Sequence, residues 1–220
     1  ISCATAPRAR LAQLASAQRA LVLSFDDGPT ERMTSAMLDL LSGTGACATF
    51  FMVGTKALRE PELVARVSQE GHEIGAHSMR HGHAMKVGAR RATTDYHDGL
   101  AALASLGVEP RLFRPPYGRV LSMTRRACKR DGVELAWWTH DSGDSDTPLP
   151  RLEPTLTSVA SAGGGVVLMH DLDRPTPETR KREAYVLRAT ELLLRLAEDE
   201  SMELMTLGTL LERARGGARL

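Results

Sequence analysis

Short apolar runs alternate along this chain with longer amphipathic stretches. Residues 21–25, 47–53, 72–76, 111–114, 134–139, 165–169 and 202–206 read as strands, because they are short and bounded by polar or turn-forming positions. Residues 33–42, 61–70, 91–106, 121–130, 152–162 and 181–198 carry apolar positions at helical spacing, and a short helix follows to Arg213. Local signals agree with these boundaries. Thr30 lies near the start of the first helix and Gly43 at its end, Pro61 suits a first helical turn, and Gly107 follows the third helix.

Roughly seven strand–helix units follow one another without a linker, a low-complexity segment or a detectable repeat. Such alternation predicts a parallel sheet covered by helices. That many units in 220 residues favour a closed or nearly closed β/α barrel, with an open doubly wound sheet as the alternative.

Composition narrows the function less than the pattern does. With 42% hydrophobic and 25% charged residues, an ordinary packed core is available, and a net charge of +1 gives no reason to expect a nucleic-acid partner. Cys3, Cys47 and Cys128 are too few and too scattered for a disulfide framework or a thiolate metal site. No apolar run reaches the roughly 18 residues of a membrane span. The chain opens on Ile1 with no charged-then-apolar leader.

The chemistry-bearing residues cluster just after the strands. Asp26 and Asp27 follow the first, His77 and His81 the third, Arg114 to Gly118 the fourth, Asp141 and Asp144 the fifth, and His170 and Asp171 the sixth. In a β/α barrel, catalytic groups come from the C-terminal ends of several strands. Adjacent carboxylates such as Asp26 and Asp27 are costly unless a positive partner is near, yet for the dipeptide alone an Asp-Gly turn in water is the better explanation. Histidines at i and i+4, here His77 and His81, share one face of a helical turn and suit a metal, or simply decorate a surface. His72 and His83 are nearby competitors, His72 from the opposite end of its strand. Pro115 and Pro116 stiffen the exit after Arg114, which helps aim a following N–H. Gly163 to Gly165 precede their strand, so they do not read as a phosphate loop.

Taken together, these clusters resemble those of the polysaccharide deacetylases, the carbohydrate esterases of family 4 that share the NodB homology domain. Ser24 to Pro29 match TFDDGP with Ser for Thr, His77 to His81 match HSxxH, Arg114 to Gly118 match RxPYG, and Leu168-Met169-His170 match LxLH in relaxed form. The DxxDW motif keeps Asp141 and Asp144 but has Ser145 where the family has Trp. The resemblance implies a distorted (β/α)7-type barrel over residues 21–212, with an extension at 1–20 and a tail at 213–220.

It also implies a mechanism. Asp27, His77 and His81 hold one divalent ion, Zn²⁺ or else Co²⁺ or Ni²⁺. Asp26 is the base, oriented by Arg114. The Tyr117 N–H serves the oxyanion, His170 is the acid, and Asp144 orients His170. Pro116, Tyr117 and Leu168 line the substrate pocket. The implied reaction removes acetyl groups from an N-acetylglucosamine-containing glycan or oligosaccharide by a monomeric protein, with an extracytoplasmic or secreted location favoured. The alternatives are an O-acetyl glycan esterase of the same fold and an inactive glycan-binding relative. Loss of the Trp at Ser145 bears on the shape of the acetyl pocket more than on the reaction.

Overall fold

The computed structural model describes residues 5–216. In chain order these form α1 (Thr5–Ala17), β1 (Ala20–Asp26), α2 (Glu31–Leu41), β2 (Thr49–Met52), α3 (Gly54–Ala57), α4 (Pro61–Gln69), β3 (Glu73–Ala76), α5 (Ala84–Val87), α6 (Ala89–Ser105) and β4 (Leu112–Phe113). A 3₁₀ turn at Pro116–Gly118 leads to α7 (Ser122–Asp131), β5 (Glu134–Leu135), β6 (His140–Asp141), α8 (Glu153–Ala162), β7 (Gly165–His170), α9 (Pro177–Asp199), β8 (Glu203–Leu204) and α10 (Leu207–Gly216).

The strands run parallel in the order β5-β4-β3-β2-β1-β7-β6, with β8 against the start of β1. They form a curled sheet with flanking helices, the distorted β/α barrel that the family resemblance implies. Alternate residues of a strand point to opposite faces. In β1, Leu21, Leu23 and Phe25 pack outward with Met37, Leu38 and Leu193 of the helices. Ala20 and Val22 belong to a separate inner cluster with Phe51, Leu112 and Val166. The same face of β1 then continues into Ser24 and Asp26, and that of β7 into Leu168 and His170. The inner face therefore changes from apolar to polar toward the C-terminal strand ends.

Besides the single-turn helices α3 and α5, three elements differ from the sequence pattern. The run 134–139 does not make one strand. Its first half pairs with β4 as β5, and β6 pairs with β7 at the other end of the sheet, so residues 136–139 cross the break between them. A continuous apolar run cannot reveal a change of partner. The second difference is α1, which the periodicity leaves unassigned. It adds Leu11 and Ala15 to the inner cluster, alongside Ala136 and Trp137 of the crossing segment, so the helix completes a core that the strands leave open. The third is the start of α9, four residues earlier than the apolar pattern, where the Thr176 side chain accepts from the Thr179 N–H and Pro177 occupies the first turn.

A cavity of about 600 Å³ lies between α1, α7, β5 and α10, lined by Leu11, Leu14, Val133 and Leu211 among others. It contains none of the residues gathered at the strand ends. No helix among the described residues is long and apolar enough to cross a membrane.

Candidate metal and catalytic centre

Strand register brings the motif residues together. Asp26 is paired with His170 across β1 and β7. The His77 N–H donates to the Met52 carbonyl, and the Arg114 N–H to the Ala76 carbonyl, so β3 and β4 end at the same level.

Asp27, His77 and His81 offer ligand atoms that all lie within 4.8 Å of one another. Asp27 Oδ1 stands 3.4 Å from His77 Nε2 and 3.0 Å from His81 Nε2. His77 Nδ1 donates to the Arg114 carbonyl at 2.6 Å, which fixes the ring and leaves Nε2 as a lone-pair donor. Asp27 Oδ1 is buried with no hydrogen-bond partner in the structure. Buried orphans of this kind are rare. A cation between the carboxylate and the two nitrogens satisfies all three at once, so the donor set fits a divalent ion. Burial opposes ionisation of Asp27, but the two imidazoles outweigh it and hold the carboxyl well below the usual carboxylate range.

The loop carrying the histidines is not the helical turn that the i, i+4 spacing predicts. Ser78 and His81 have φ of 63° and 56°, in the left-handed region. The loop is tied instead to its neighbours. The Met79 N–H donates to the Asp95 carbonyl, and the Gly54 and Thr55 N–H groups to the Ser78 and Met79 carbonyls. α6 can approach because Gly99 has no side chain; a Cβ there would lie 2.6 Å from the Ser78 carbonyl carbon. Asp27 and Tyr117 also have positive φ, 74° and 57°. Four of the six non-glycine residues with positive φ among those described thus sit at this one site. Such strain persists only where surrounding structure over-determines it, and it concentrates at functional sites.

Asp26 Oδ1 accepts from Arg114 Nη1 at 2.7 Å, while Oδ2 lies 3.7 Å from His77 Nε2. Arg114 is fully buried. An isolated buried guanidinium would cost several kcal/mol. It is compensated by Asp26, by Ser24 Oγ at 2.9 Å, by the Trp137 carbonyl at 3.2 Å, and by the Phe51 ring 4.0 Å from its central carbon.

On the other side, His170 Nδ1 lies 2.8 Å from Asp144 Oδ1, and the His170 N–H donates to Oδ2 at 3.0 Å. Burial works against a charged imidazole, but the hydrogen bond and charge of Asp144, with Asp26 and Asp27 beyond, raise His170 to about 9. Asp141 turns the loop by accepting from the Gly143 N–H at 3.0 Å. Ser145 Oγ stands 3.4 Å from His170 Nδ1. The tryptophans upstream are committed elsewhere: Trp137 is in the inner cluster, and Trp138 lies between Arg8 and Arg114 and against Gly118. Tyr117 is 59% exposed, whereas Pro116 is buried. Leu168 is buried on the same strand face as His170, one pleat below it.

Several supporting groups lie outside the motif reading. Lys56 Nζ donates to the Asp27 carbonyl at 2.6 Å. Arg182 and Tyr185, from α9, donate to the carbonyls of Asp144 and Ser142, both at 2.6 Å, and so hold the loop that carries Asp144. Nothing local in the sequence marks them, because their partners are about forty residues away. Asp171 is fully buried, and burial raises its carboxyl to about 7 against the hydrogen bond from Thr34. A Cβ on Gly28 would collide with that carboxylate, so the glycine after Asp27 is a packing requirement.

Comparison with known proteins gives the family. The polysaccharide deacetylase family profile matches residues 14–136. A peptidoglycan-N-acetylglucosamine deacetylase of Bacillus cereus is 33% identical over 189 residues, covering 80% of this chain and 89% of that protein. The peptidoglycan-N-acetylglucosamine deacetylase PgdA of Listeria monocytogenes is 29% identical, and the match covers 74% of this chain but only 34% of that protein, about a third of its length. The structure of the peptidoglycan deacetylase PdaC from Bacillus subtilis superposes with a TM-score of 0.75 at 26% identity, covering 92% of this chain and 95% of the other. The chain belongs to the polysaccharide deacetylase family, carbohydrate esterase family 4.

Proposed function

We propose that this protein is a divalent-metal-dependent hydrolase that removes acetyl groups from N-acetylglucosamine units of a glycan. The observation that carries the reading is the convergence of an unsatisfied Asp27–His77–His81 set with two differently supported groups, Asp26 held by Arg114 and His170 held by Asp144. A divalent ion, Zn²⁺ first and Co²⁺ or Ni²⁺ as alternatives, supplies Lewis-acid polarisation of the acetamide carbonyl and activation of water.

The chain's own residues perform the proton chemistry. Asp26 takes a proton from water as its oxygen bonds to the carbonyl carbon, and Arg114 keeps the receiving carboxylate aimed. The Tyr117 N–H, at a backbone position fixed by Pro115 and Pro116, donates to the developing oxyanion. An amide nitrogen is a poor leaving group, so the C–N bond breaks only as His170 delivers a proton to that nitrogen. Asp144 occupies Nδ1, which leaves Nε2 to donate. Acetate and a free amine result. Leu168, Pro116 and Tyr117 bound the substrate site.

The printed names of the relatives support an N-acetylated cell-wall or chitin-type strand as the first candidate, and the reading has a monomer acting on it outside the cytoplasm. Acetate release from N-acetylated chitooligosaccharides, peptidoglycan strands and O-acetylated xylan tests the reading. Release from the N-acetylated set supports it. Release from xylan alone replaces it with an ester-specific activity, and release from none leaves a glycan-binding role.

A further inference from the structure

His83 takes no part in the chemistry above, although it lies two residues beyond His81. Its ring completes a row of four. His77 and His81 centroids are 4.9 Å apart, His81 and Tyr117 4.7 Å, and Tyr117 and His83 4.9 Å, with interplanar angles of 46°, 51° and 36°. The row begins at a buried ligand and ends at the surface. Tyr117, its third member, is 59% exposed, and the rings of His81 and His83 both lie within 5 Å of its centroid.

The backbone of His83 is anchored. Its carbonyl accepts from the Lys86 and Val87 N–H groups and so starts α5. Its Nδ1 is buried without a hydrogen-bond partner. No hydrogen bond holds Nδ1, and the aromatic contact the structure gives the ring is the Tyr117 ring. His83 does not belong to the metal-ligand set.

We infer that His83 is a positioning residue that fixes the Tyr117 ring as a stacking floor for the sugar unit next to the acetylated one. The inference rests on the proposed glycan substrate. An aromatic face carries negative charge density, and the axial C–H groups of a pyranose carry the complementary positive density. A ring already fixed by packing loses no side-chain freedom when a sugar settles on it, whereas a free one must be ordered at the moment of binding. The occupant is a pyranose of a chain at least two units long; a small acetate ester never reaches it.

The test is calorimetric binding of chitotetraose to zinc-loaded wild type, His83→Ala and His83→Phe, together with zinc content and kinetics on chitotetraose and an aryl acetate. His83→Ala should keep its zinc and weaken binding by about 2- to 10-fold, the ordering cost of one side chain. KM for chitotetraose should rise by the same factor with kcat held, aryl acetate kinetics should stay put, and His83→Phe should restore wild-type binding. Equal affinity in wild type and His83→Ala overturns the inference, as does loss of zinc or an equal loss on the aryl acetate. If wild type binds chitotetraose but releases acetate neither from it nor from peptidoglycan strands, the deacetylase reading fails by itself, and the binding comparison still decides the role of His83. Absence of chitotetraose binding by wild type overturns the inference.

Discussion

His170 meets Asp144 across 2.8 Å in a carboxylate–imidazole pair that is complete as it stands, whereas Asp27 meets His77 and His81 at 3.4 and 3.0 Å with its Oδ1 left unsatisfied. The residue types are the same. The difference lies in what the second atom of each group does. His77 spends Nδ1 on the Arg114 carbonyl, so its Nε2 faces an acceptor with a lone pair. His170 turns Nδ1 to Asp144, and both Asp144 oxygens are used, the second by the His170 N–H. One grouping fits a cation, and the other, already paired, fits the proton carrier of the proposed mechanism. Two roles thus follow from hydrogen-bond bookkeeping rather than from residue identity.

The sharpest way to break this contrast is to replace, one at a time, the neighbouring acids Asp26 and Asp27 at the end of β1. Asp27→Ala should lose metal and turnover together. Asp26→Asn should keep the metal while turnover falls by about 10²- to 10⁴-fold, the usual worth of a general base. Metal content of the two purified variants, measured beside acetate release, decides it; equal metal loss would reverse the assignment.

On the proton side, His170→Ala should slow amide hydrolysis by about 10²-fold or more while an aryl acetate, whose leaving group needs no proton, slows much less. An equal loss on both substrates would leave His170 only a shaping role.

A smaller effect should appear in the pH profile. The acid works while protonated, so activity on amides falls as pH rises through the His170 pKa. Asp144 raises that pKa toward about 9. Asp144→Asn should therefore move the alkaline limb of kcat/KM to lower pH, while the same substitution leaves metal content unchanged. A limb that does not move would detach His170 from Asp144.

The smallest expected change is at Ser145. With Trp137 and Trp138 committed to the inner cluster and to Arg8, no tryptophan stands in for the family residue. Weak turnover of simple chitooligosaccharides is expected, and Ser145→Trp should alter it a few-fold by walling the space beside His170, in either direction according to the size of the native substrate. Identical kinetics on the whole glycan panel would show that this wall does not shape the pocket.

Much of the fold is legible because strands such as β1 are short apolar runs and long helices such as α2 and α6 carry their period openly. What escapes is set by distance or by shortness. The segment 134–141 changes partner halfway, which no local pattern records. α3 and α5 are single turns, too short to display a period. α1 mixes arginines with a few apolar residues, and only the incomplete inner core explains why Leu11 and Ala15 are buried. The motif residues are legible because each follows a strand end. Their geometry is less so: His77 and His81 converge through left-handed backbone rather than through a helical turn. Lys56, Arg182 and Tyr185 support the site from distant sequence, and only the folded chain brings them to Asp27, Asp144 and Ser142.

The central claim is that Asp27, His77 and His81 form a site whose occupancy governs glycan deacetylation. Protein stripped of metal and titrated with Zn²⁺, with bound zinc and acetate release from an N-acetylated glycan followed together, tests it most directly. The account predicts no turnover at zero metal and activity rising in step with the first equivalent bound. Full turnover by protein verified to be metal-free would contradict it.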